Sequence, residues 1–195
     1  QAYYNQDDWR GTWALDGGVF ANQASHHIDL LEWCMGPPAT VFTRTCTALV
    51  DIESEDTGVA VITFKSGALG VVEATTATRP VDLEGSLSLL GADGNVEIGG
   101  FAVNRMRQWN FAESLPGDAE VLEKYSENPP NVYGFGHVAY LRHVVDVLSN
   151  GAQSLVDGAE GRKSLELIHA IYQSAETGTE ITIGPDSHSE KLGRK

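Results

Sequence analysis

The stretch VAVITFKSGALGVVEATT, residues 59–76, predicts two β-strands joined by a tight turn. Val59–Phe64 and Ala68–Thr76 are rich in β-branched residues, and Lys65-Ser66-Gly67 between them has the length and the glycine of a hairpin connection. Parallel neighbours need a crossover of about a dozen residues or more, so strands joined this closely pair antiparallel. This stretch therefore predicts a sheet with mainly antiparallel pairing.

Further strands and helices are predicted on both sides of this hairpin. Thr40–Val50 alternates upstream, and the Asp93-Gly94 pair downstream is a strong hairpin signal. The other strand candidates are Gly85–Leu90, Asn95–Ile98, Phe101–Asn110 and Glu180–Ile183. Helical spacing of apolar residues predicts helices over Asn22–Met35, over His137–Leu148, and from a cap at Asp157 to Gly178. The fold class is α+β: an open, antiparallel-rich mixed sheet of about five to seven strands with helices on one face.

The order of these elements predicts one domain over residues 1–184. Pro116–Pro130 is acidic and ends in a proline pair, so we expect an exposed excursion there, and we expect residues 185–195 to form a flexible tail. Helices on one face leave the other face of the sheet to solvent or to a partner. Because that face carries residues such as Val61 and Val71, we expect a homodimer or homotetramer built through the sheet.

Charge and cysteine content exclude several classes of protein. Lys and Arg total 13 against 27 Asp and Glu, and the net charge of −14 repels nucleic acid and anionic membranes. No apolar run approaches the roughly 20 residues that span a bilayer, and no N-terminal signal is visible, so we expect a cytoplasmic protein. The spacing of Cys34 and Cys46 matches no zinc site, and we expect both to be small buried hydrophobes.

The densest polar group lies at the start of the first predicted helix. Asn22, His26 and Asp29 are spaced four and three apart, so on a helix they share one face. An imidazole titrates near neutrality and can take a proton from a substrate hydroxyl. The alternative is a surface or capping role. A metal site at His26, His27, Asp29 and Glu32 is disfavoured, because adjacent histidines on a helix point about 100° apart.

Two residues outside this helix are also candidates for ligand binding. His137 begins a predicted helix and could face a cleft. Arg10 lies between Trp9 and Trp13, which suits either a carboxylate or phosphate of a ligand, or a packing role through cation–π and salt-bridge contacts. The sequence shows no glycine-rich dinucleotide or phosphate-binding motif, so we expect no cofactor and no metal bound to this chain.

Two stretches resemble the glucose–fructose oxidoreductase/inositol dehydrogenase/MocA family. The first is Trp9-Arg10-Gly11-Thr12-Trp13 with Asp16-Gly17-Gly18 and the run from Asn22 to Leu31, and the second is the run from Gly158 to Ala175. The resemblance implies a preceding Rossmann domain that holds NAD or NADP and carries a catalytic lysine in a Glu-Lys-Pro motif. It also implies a C-terminal domain with a glyceraldehyde-3-phosphate-dehydrogenase-like fold that binds substrate and mediates oligomerisation.

The resemblance also implies roles for individual residues. The family's acid/base histidine falls on His26, and its common aspartate falls on Asn22, whose amide would orient a substrate hydroxyl. The Asn-Gln-x-x-His form, with Gln23, is similar to dehydrogenases of nucleotide-linked amino-sugar uronates. The substrate-binding set expected from residues and resemblance together is Asn22, Arg10, Gln23, Asp29 and His137.

The expected function is the substrate-binding part of an NAD(P)-dependent enzyme that oxidises a sugar or nucleotide-sugar hydroxyl by hydride transfer. The isolated chain, without the Rossmann half, is expected to be inactive. The alternative is a non-catalytic sugar-binding or dimerisation module of the same fold.

Overall fold

The computed structural model describes residues 1–131 and 134–194, and the chain divides into two compact units. The first unit contains residues 1–81 and 156–195, and the second contains residues 82–155. The helices are α1 (Ser25–Met35), α2 (Asp118–Lys124), α3 (Gly136–Asn150) and α4 (Gly158–Thr177). The strands are β1 (Pro38–Cys46), β2 (Thr57–Phe64), β3 (Leu69–Thr75), β4 (Leu87–Leu90), β5 (Gly94–Gly99), β6 (Arg105–Phe111) and β7 (Ile181–Thr182).

A four-stranded antiparallel sheet in the order β3-β2-β1-β7 forms the centre of the first unit. The predicted hairpin is confirmed, because Thr63 pairs with Leu69 across the Lys65–Gly67 connection. Alternation along β2 buries Ala60, Ile62 and Phe64 on one face. Helix α4 packs on this sheet and α1 packs against α4, and their apolar residues complete the core: Ile28, Leu31, Leu167, Ile168, Ile171 and Tyr172.

The second unit contains a three-stranded antiparallel sheet in the order β4-β5-β6, together with α2 and α3. Within the described residues every strand pair is antiparallel, which confirms the α+β class. The strands expected in one sheet instead form two sheets.

The excursion predicted over Pro116–Pro130 contains α2, whose first turn carries Asp118 and Glu120 at the positive end of the helix dipole.

Helix α4 begins and ends as its sequence predicts. The Asp157 carboxylate accepts hydrogen bonds from the backbone N–H groups of Ala159 (2.9 Å) and Glu160 (3.0 Å), which satisfies two of the free donors at the helix start. Gly178 ends the helix with a φ of 70°, in the left-handed region that glycine adopts without a steric penalty.

Two sequence predictions about the first unit are wrong. Residues 185–194 do not form a free tail, because Ser189 is buried and bonds to Glu176 of α4, and the Gly193 N–H donates to the Trp13 carbonyl at 2.8 Å. Lys195 lies outside the described residues. Both cysteines are exposed rather than buried: Cys34 lies near the end of α1, and Cys46 ends β1 on its outward face.

No helix in the described ranges has the length and apolar character needed to cross a membrane.

Candidate functional site

The Asn22 side chain is held by a carboxylate from the preceding loop. Its Nδ2 donates to Asp16 Oδ1, and the other Asp16 oxygen accepts from the Gly11 backbone N–H at 2.6 Å. Asp16 therefore sets the orientation of the amide and leaves the Asn22 carbonyl oxygen as an acceptor for a hydroxyl donor. We predicted Asn22 as part of the first helix, but α1 begins at Ser25 and Asn22 lies in the turn before it.

The two adjacent histidines of α1 have different surroundings. His26 is exposed in the first turn of the helix, whereas His27 is half-buried and its Nε2 has no hydrogen-bond partner among the described residues. Burial, and then the proximity of His26, lower the pKa of His27 below its ordinary value, which favours the neutral ring. Of the two imidazoles, His26 is therefore the one that a ligand in solution can reach.

The other two candidates of this region, Asp29 and Gln23, differ in their contacts. Asp29 accepts a hydrogen bond from the Ser164 hydroxyl, so its carboxylate joins α1 to α4. It keeps the predicted three-residue spacing from His26 on α1, whereas Asn22 lies before the helix. Gln23 is half-buried, and its Oε1 is buried without a partner among the described residues. This oxygen can therefore still accept a hydrogen bond.

Arg10 makes the packing contacts that its aromatic neighbours suggested. Its Nε donates to Asp7 at 2.8 Å, and its guanidinium lies over the rings of Tyr3 (4.2 Å) and Trp9 (4.8 Å). The exposed His137 lies in the first turn of α3, in the second unit. Asn22, Gln23 and His26 thus lie in one short segment of the first unit, and Arg10 has local contacts of its own.

Sequence reasoning missed the buried pair Glu55 and Tyr172, which lies beneath this segment. The Tyr172 hydroxyl donates to Glu55 Oε1 at 2.8 Å and accepts from the backbone N–H groups of Gly18 and Ala21. Burial raises the pKa of Glu55, and burial together with the Glu55 charge raises the pKa of Tyr172. The available signal was Gly17-Gly18, since paired glycines often mark the close approach of another group. A Cβ at Gly18 would overlap the Glu55 carboxylate.

The site residues do not fit a metal ion or the phosphates of a dinucleotide. Within residues 1–131 and 134–194, no group of three or more His, Cys, Asp or Glu side chains is arranged to hold a metal. Dinucleotide phosphates are commonly held at a glycine-rich turn between a strand and a helix of a parallel unit. The strand pairs of the described residues are antiparallel and provide no such turn.

Comparison with solved structures and curated proteins identifies relatives of this chain. The WlbA dehydrogenase from Bordetella pertussis, solved in complex with NADH and UDP-GlcNAcA, matches with a TM-score of 0.88 and 44% identity over 95% of this chain and 53% of that chain. D-apiose dehydrogenase from Rhizobium rhizogenes is 23% identical over 168 residues, which are 82% of this chain and 47% of that protein. Myo-inositol 2-dehydrogenase from Thermotoga maritima is 26% identical over 174 residues, 83% of this chain and 48% of that protein.

Each of these matches covers about half of the relative's own length. The domain family described as "Oxidoreductase family, C-terminal alpha/beta domain" matches residues 1–183, which confirms the resemblance seen in the sequence. Because this match takes in nearly the whole chain, the chain belongs to the GFO_IDH_MocA_C family, the C-terminal domain of an oxidoreductase family.

Proposed function

We propose that this chain is the substrate-binding half of an NAD(P)-dependent dehydrogenase that oxidises a hydroxyl of a nucleotide-linked sugar. The observation that carries the proposal is the exposed His26 imidazole, four residues after an Asn22 amide that Asp16 holds in place. The 44% identity to a dehydrogenase solved with NADH and UDP-GlcNAcA supports this substrate class over an unmodified sugar.

In this proposal the chain supplies orientation and proton transfer. The Asn22 carbonyl oxygen accepts a hydrogen bond from a substrate hydroxyl and fixes its position. His26 takes the proton of the hydroxyl that is oxidised and returns it in the reverse direction. The hydride that leaves the same carbon is accepted by NAD or NADP bound to another part of the protein. The carbon becomes a carbonyl, the proton stays on the imidazole, and no further reactant is required.

A ligand titration of this chain tests the proposal. We expect UDP-GlcNAcA to bind weakly and to shift the NMR resonances of Asn22, Gln23 and His26, because their side chains form one wall of the proposed site. We expect NADH to give no measurable calorimetric signal, since the described residues contain no cradle for its phosphates. Asn22→Ala should weaken the binding of UDP-GlcNAcA by about 0.5–1.5 kcal/mol, the typical net contribution of one hydrogen bond.

The matched control for this titration is Asp186→Asn, which removes one exposed negative charge from the first unit outside residues 22–26. It should leave UDP-GlcNAcA binding unchanged. Tight NADH binding, or resonance shifts that avoid residues 22–26, would contradict the proposal.

We also propose that the outward face of the four-stranded sheet packs against a second copy of this chain. Its central row is Phe42, Val61 and Val71, paired across β1, β2 and β3, and all three side chains are exposed. The next row is Arg44, Val59 and Glu73, with opposite charges at its two ends. Sheets stack about 10 Å apart with their strands nearly aligned. A two-fold axis parallel to β2 therefore places β1 of one copy over β3 of the other.

This geometry makes the face self-complementary. Arg44 of one copy meets Glu73 of the other, Phe42 meets Val71, and Val61 meets its own symmetry mate, as in an isologous interface. Arg44 also lies over the Phe42 ring at 4.6 Å, so its charge stays within the apolar patch. A lone charged residue there would be unfavourable, and the partner's carboxylate compensates for it.

Val61→Asp is expected to convert the dimer into a monomer, because two carboxylates would then be buried against each other at the axis. Arg44→Glu should weaken the dimer, and the double variant Arg44→Glu/Glu73→Arg should restore it. Analytical ultracentrifugation at micromolar concentrations measures both effects. Leu90→Asp is the matched control, since Leu90 is exposed in the second unit. A monomeric wild type at high micromolar concentration, or a dimeric Val61→Asp variant, would contradict this interface.

A further inference from the structure

Four consecutive backbone amides in the segment before α1 bind to only two residues. The N–H groups of Gly18 and Ala21 donate to the Tyr172 hydroxyl, at 3.0 and 3.1 Å. The Phe20 N–H donates to Glu55 Oε1 at 3.2 Å, and the Val19 N–H donates to the Glu55 backbone carbonyl at 3.1 Å. We call Gly18–Ala21 the anchored loop. The acceptors belong to Tyr172 in α4 and to Glu55, two residues before β2. Residues distant in sequence therefore hold the backbone of the anchored loop.

The Glu55–Tyr172 pair is buried in a way that simple packing would not favour. Glu55 is 3% exposed and Tyr172 is 1% exposed, and Glu55 Oε2 has no hydrogen-bond partner among the described residues. Burial of a carboxylate costs free energy, and an apolar side chain of similar volume is often as stable. The Glu55 carboxylate also requires a glycine at position 18, since any Cβ there would overlap it. The Glu55–Tyr172 pair therefore fits a backbone that has glycine at position 18 and the amides of residues 18–21 turned toward it.

The anchored loop is joined directly to the start of α1. The Asn22 N–H donates to the Gly18 carbonyl at 3.0 Å, and the Ala24 N–H donates to the Val19 carbonyl at 2.8 Å. The amides of the loop are thus held by Glu55 and Tyr172, while its carbonyls hold the residues that lead into His26. Movement of the loop would move Asn22 and the first turn of α1 with it.

We propose that Glu55 and Tyr172 are positioning residues for the proton transfer at His26. They act through the anchored loop and do not contact the substrate. This inference rests on the proposed function, because the reaction they support is the oxidation of a substrate hydroxyl beside Asn22 and His26. Displacement of a reacting group by about 1 Å can cost on the order of 10²-fold in rate.

The test compares Tyr172→Phe with Tyr4→Phe in the full-length protein. Each variant removes one buried hydroxyl, but the Tyr4 hydroxyl bonds to Thr76 Oγ1 at 2.9 Å, outside the anchored loop. Tyr172→Phe should lower kcat by about 10- to 100-fold and also raise KM for UDP-GlcNAcA, because a displaced loop moves the base and the Asn22 contact together. Tyr4→Phe should leave kcat near that of the wild type at temperatures where both variants are folded.

Substitution of Glu55 provides the second arm of this test. Glu55→Gln keeps an oxygen that can accept from Tyr172 and Phe20, so its kcat should remain within a few-fold of the wild type. Glu55→Leu has no side-chain acceptor, and its kcat should fall as far as that of Tyr172→Phe. Equal kcat values for the two Tyr→Phe variants, or a Glu55→Gln variant as slow as Glu55→Leu, would overturn the inference.

Amide hydrogen exchange separates failure of this inference from failure of the proposed function. In the present chain, Tyr172→Phe should accelerate exchange at Gly18 and Ala21 by at least tenfold more than Tyr4→Phe does. A full-length wild type without dehydrogenase activity would overturn the proposed function. Unchanged protection of Gly18 and Ala21 in Tyr172→Phe would overturn the anchoring role itself, whatever the activity.

Discussion

His26→Ala in the full-length protein is expected to lower turnover by roughly 10²- to 10⁴-fold, the usual contribution of a general acid/base. In the proposed mechanism this variant loses the group that takes the hydroxyl proton, while Asn22 and the anchored loop stay in place. Steady-state kinetics at saturating UDP-GlcNAcA measure this effect directly. The limb of the pH–rate profile that reports ionisation of the base should disappear in the variant.

Two controls distinguish the loss of a base from a folding defect. Because His26 is exposed, His26→Ala should unfold at nearly the wild-type temperature. Added imidazole should restore part of the lost turnover, since a free base can enter the vacated space. His27→Gln, on the half-buried neighbour, should retain most of the activity. Normal turnover of His26→Ala would remove His26 from the mechanism.

Asp56→Asn is expected to lower the free energy of unfolding by about 2–4 kcal/mol, because it breaks a buried set of charge-assisted hydrogen bonds. The Asp56 carboxylate is fully buried and accepts from the backbone N–H groups of Ala48, Leu49 and Val50, each at 2.8 Å, and from the Thr57 hydroxyl. An amide in either orientation turns an NH₂ group toward at least one of these backbone donors. Urea titration at neutral pH measures the loss.

The pH dependence of this loss follows from the pKa of Asp56. Burial acts to raise this pKa, but the backbone and Thr57 hydrogen bonds outweigh it and hold the pKa below its ordinary value. The stabilisation is therefore complete above the unfolded pKa and is lost as the pH falls through the folded pKa. The difference between wild type and Asp56→Asn should shrink in acid. Asp51→Asn, an exposed change of the same charge, should cost little at any pH.

Glu55 should show the opposite trend to Asp56. Its pKa is raised by burial, so the folded state holds the proton more tightly than the unfolded state does. Stability from this group is greatest at low pH and falls as the pH rises through the raised pKa. Glu55→Gln should therefore gain stability relative to the wild type as the pH rises.

For Asp56, a loss of stability in Asp56→Asn that is independent of pH would contradict the assignment of its hydrogen bonds to the backbone and to Thr57.

Local sequence signals predicted the elements of this fold well where a single residue type decides the backbone. Gly67 in the hairpin connection and Gly178 at the end of α4 both adopt positive φ. Asp157 caps α4 with its side chain. Each of these features depends on residues within a few positions, so the sequence pattern alone is sufficient to place it.

The candidate site could be predicted only in part, because its support comes from distant residues. Glu55 lies in an acidic stretch typical of an exposed loop, and its partner Tyr172 is 117 positions away. The helical spacing of Asn22 and His26 suggested one continuous helix, but the Ala24 N–H bonds to the Val19 carbonyl in a wider turn. Side-chain pattern cannot reveal a backbone path that is determined by tertiary acceptors.

The anchoring of Gly18–Ala21 through backbone amides also bears on how substrate preference could be altered. Glu55 and Tyr172 bind main-chain groups of the loop, whereas the Asn22 side chain bonds to Asp16 across it. Position 23 is therefore the better one to vary in a directed library, whereas a Cβ at position 18 would overlap the Glu55 carboxylate.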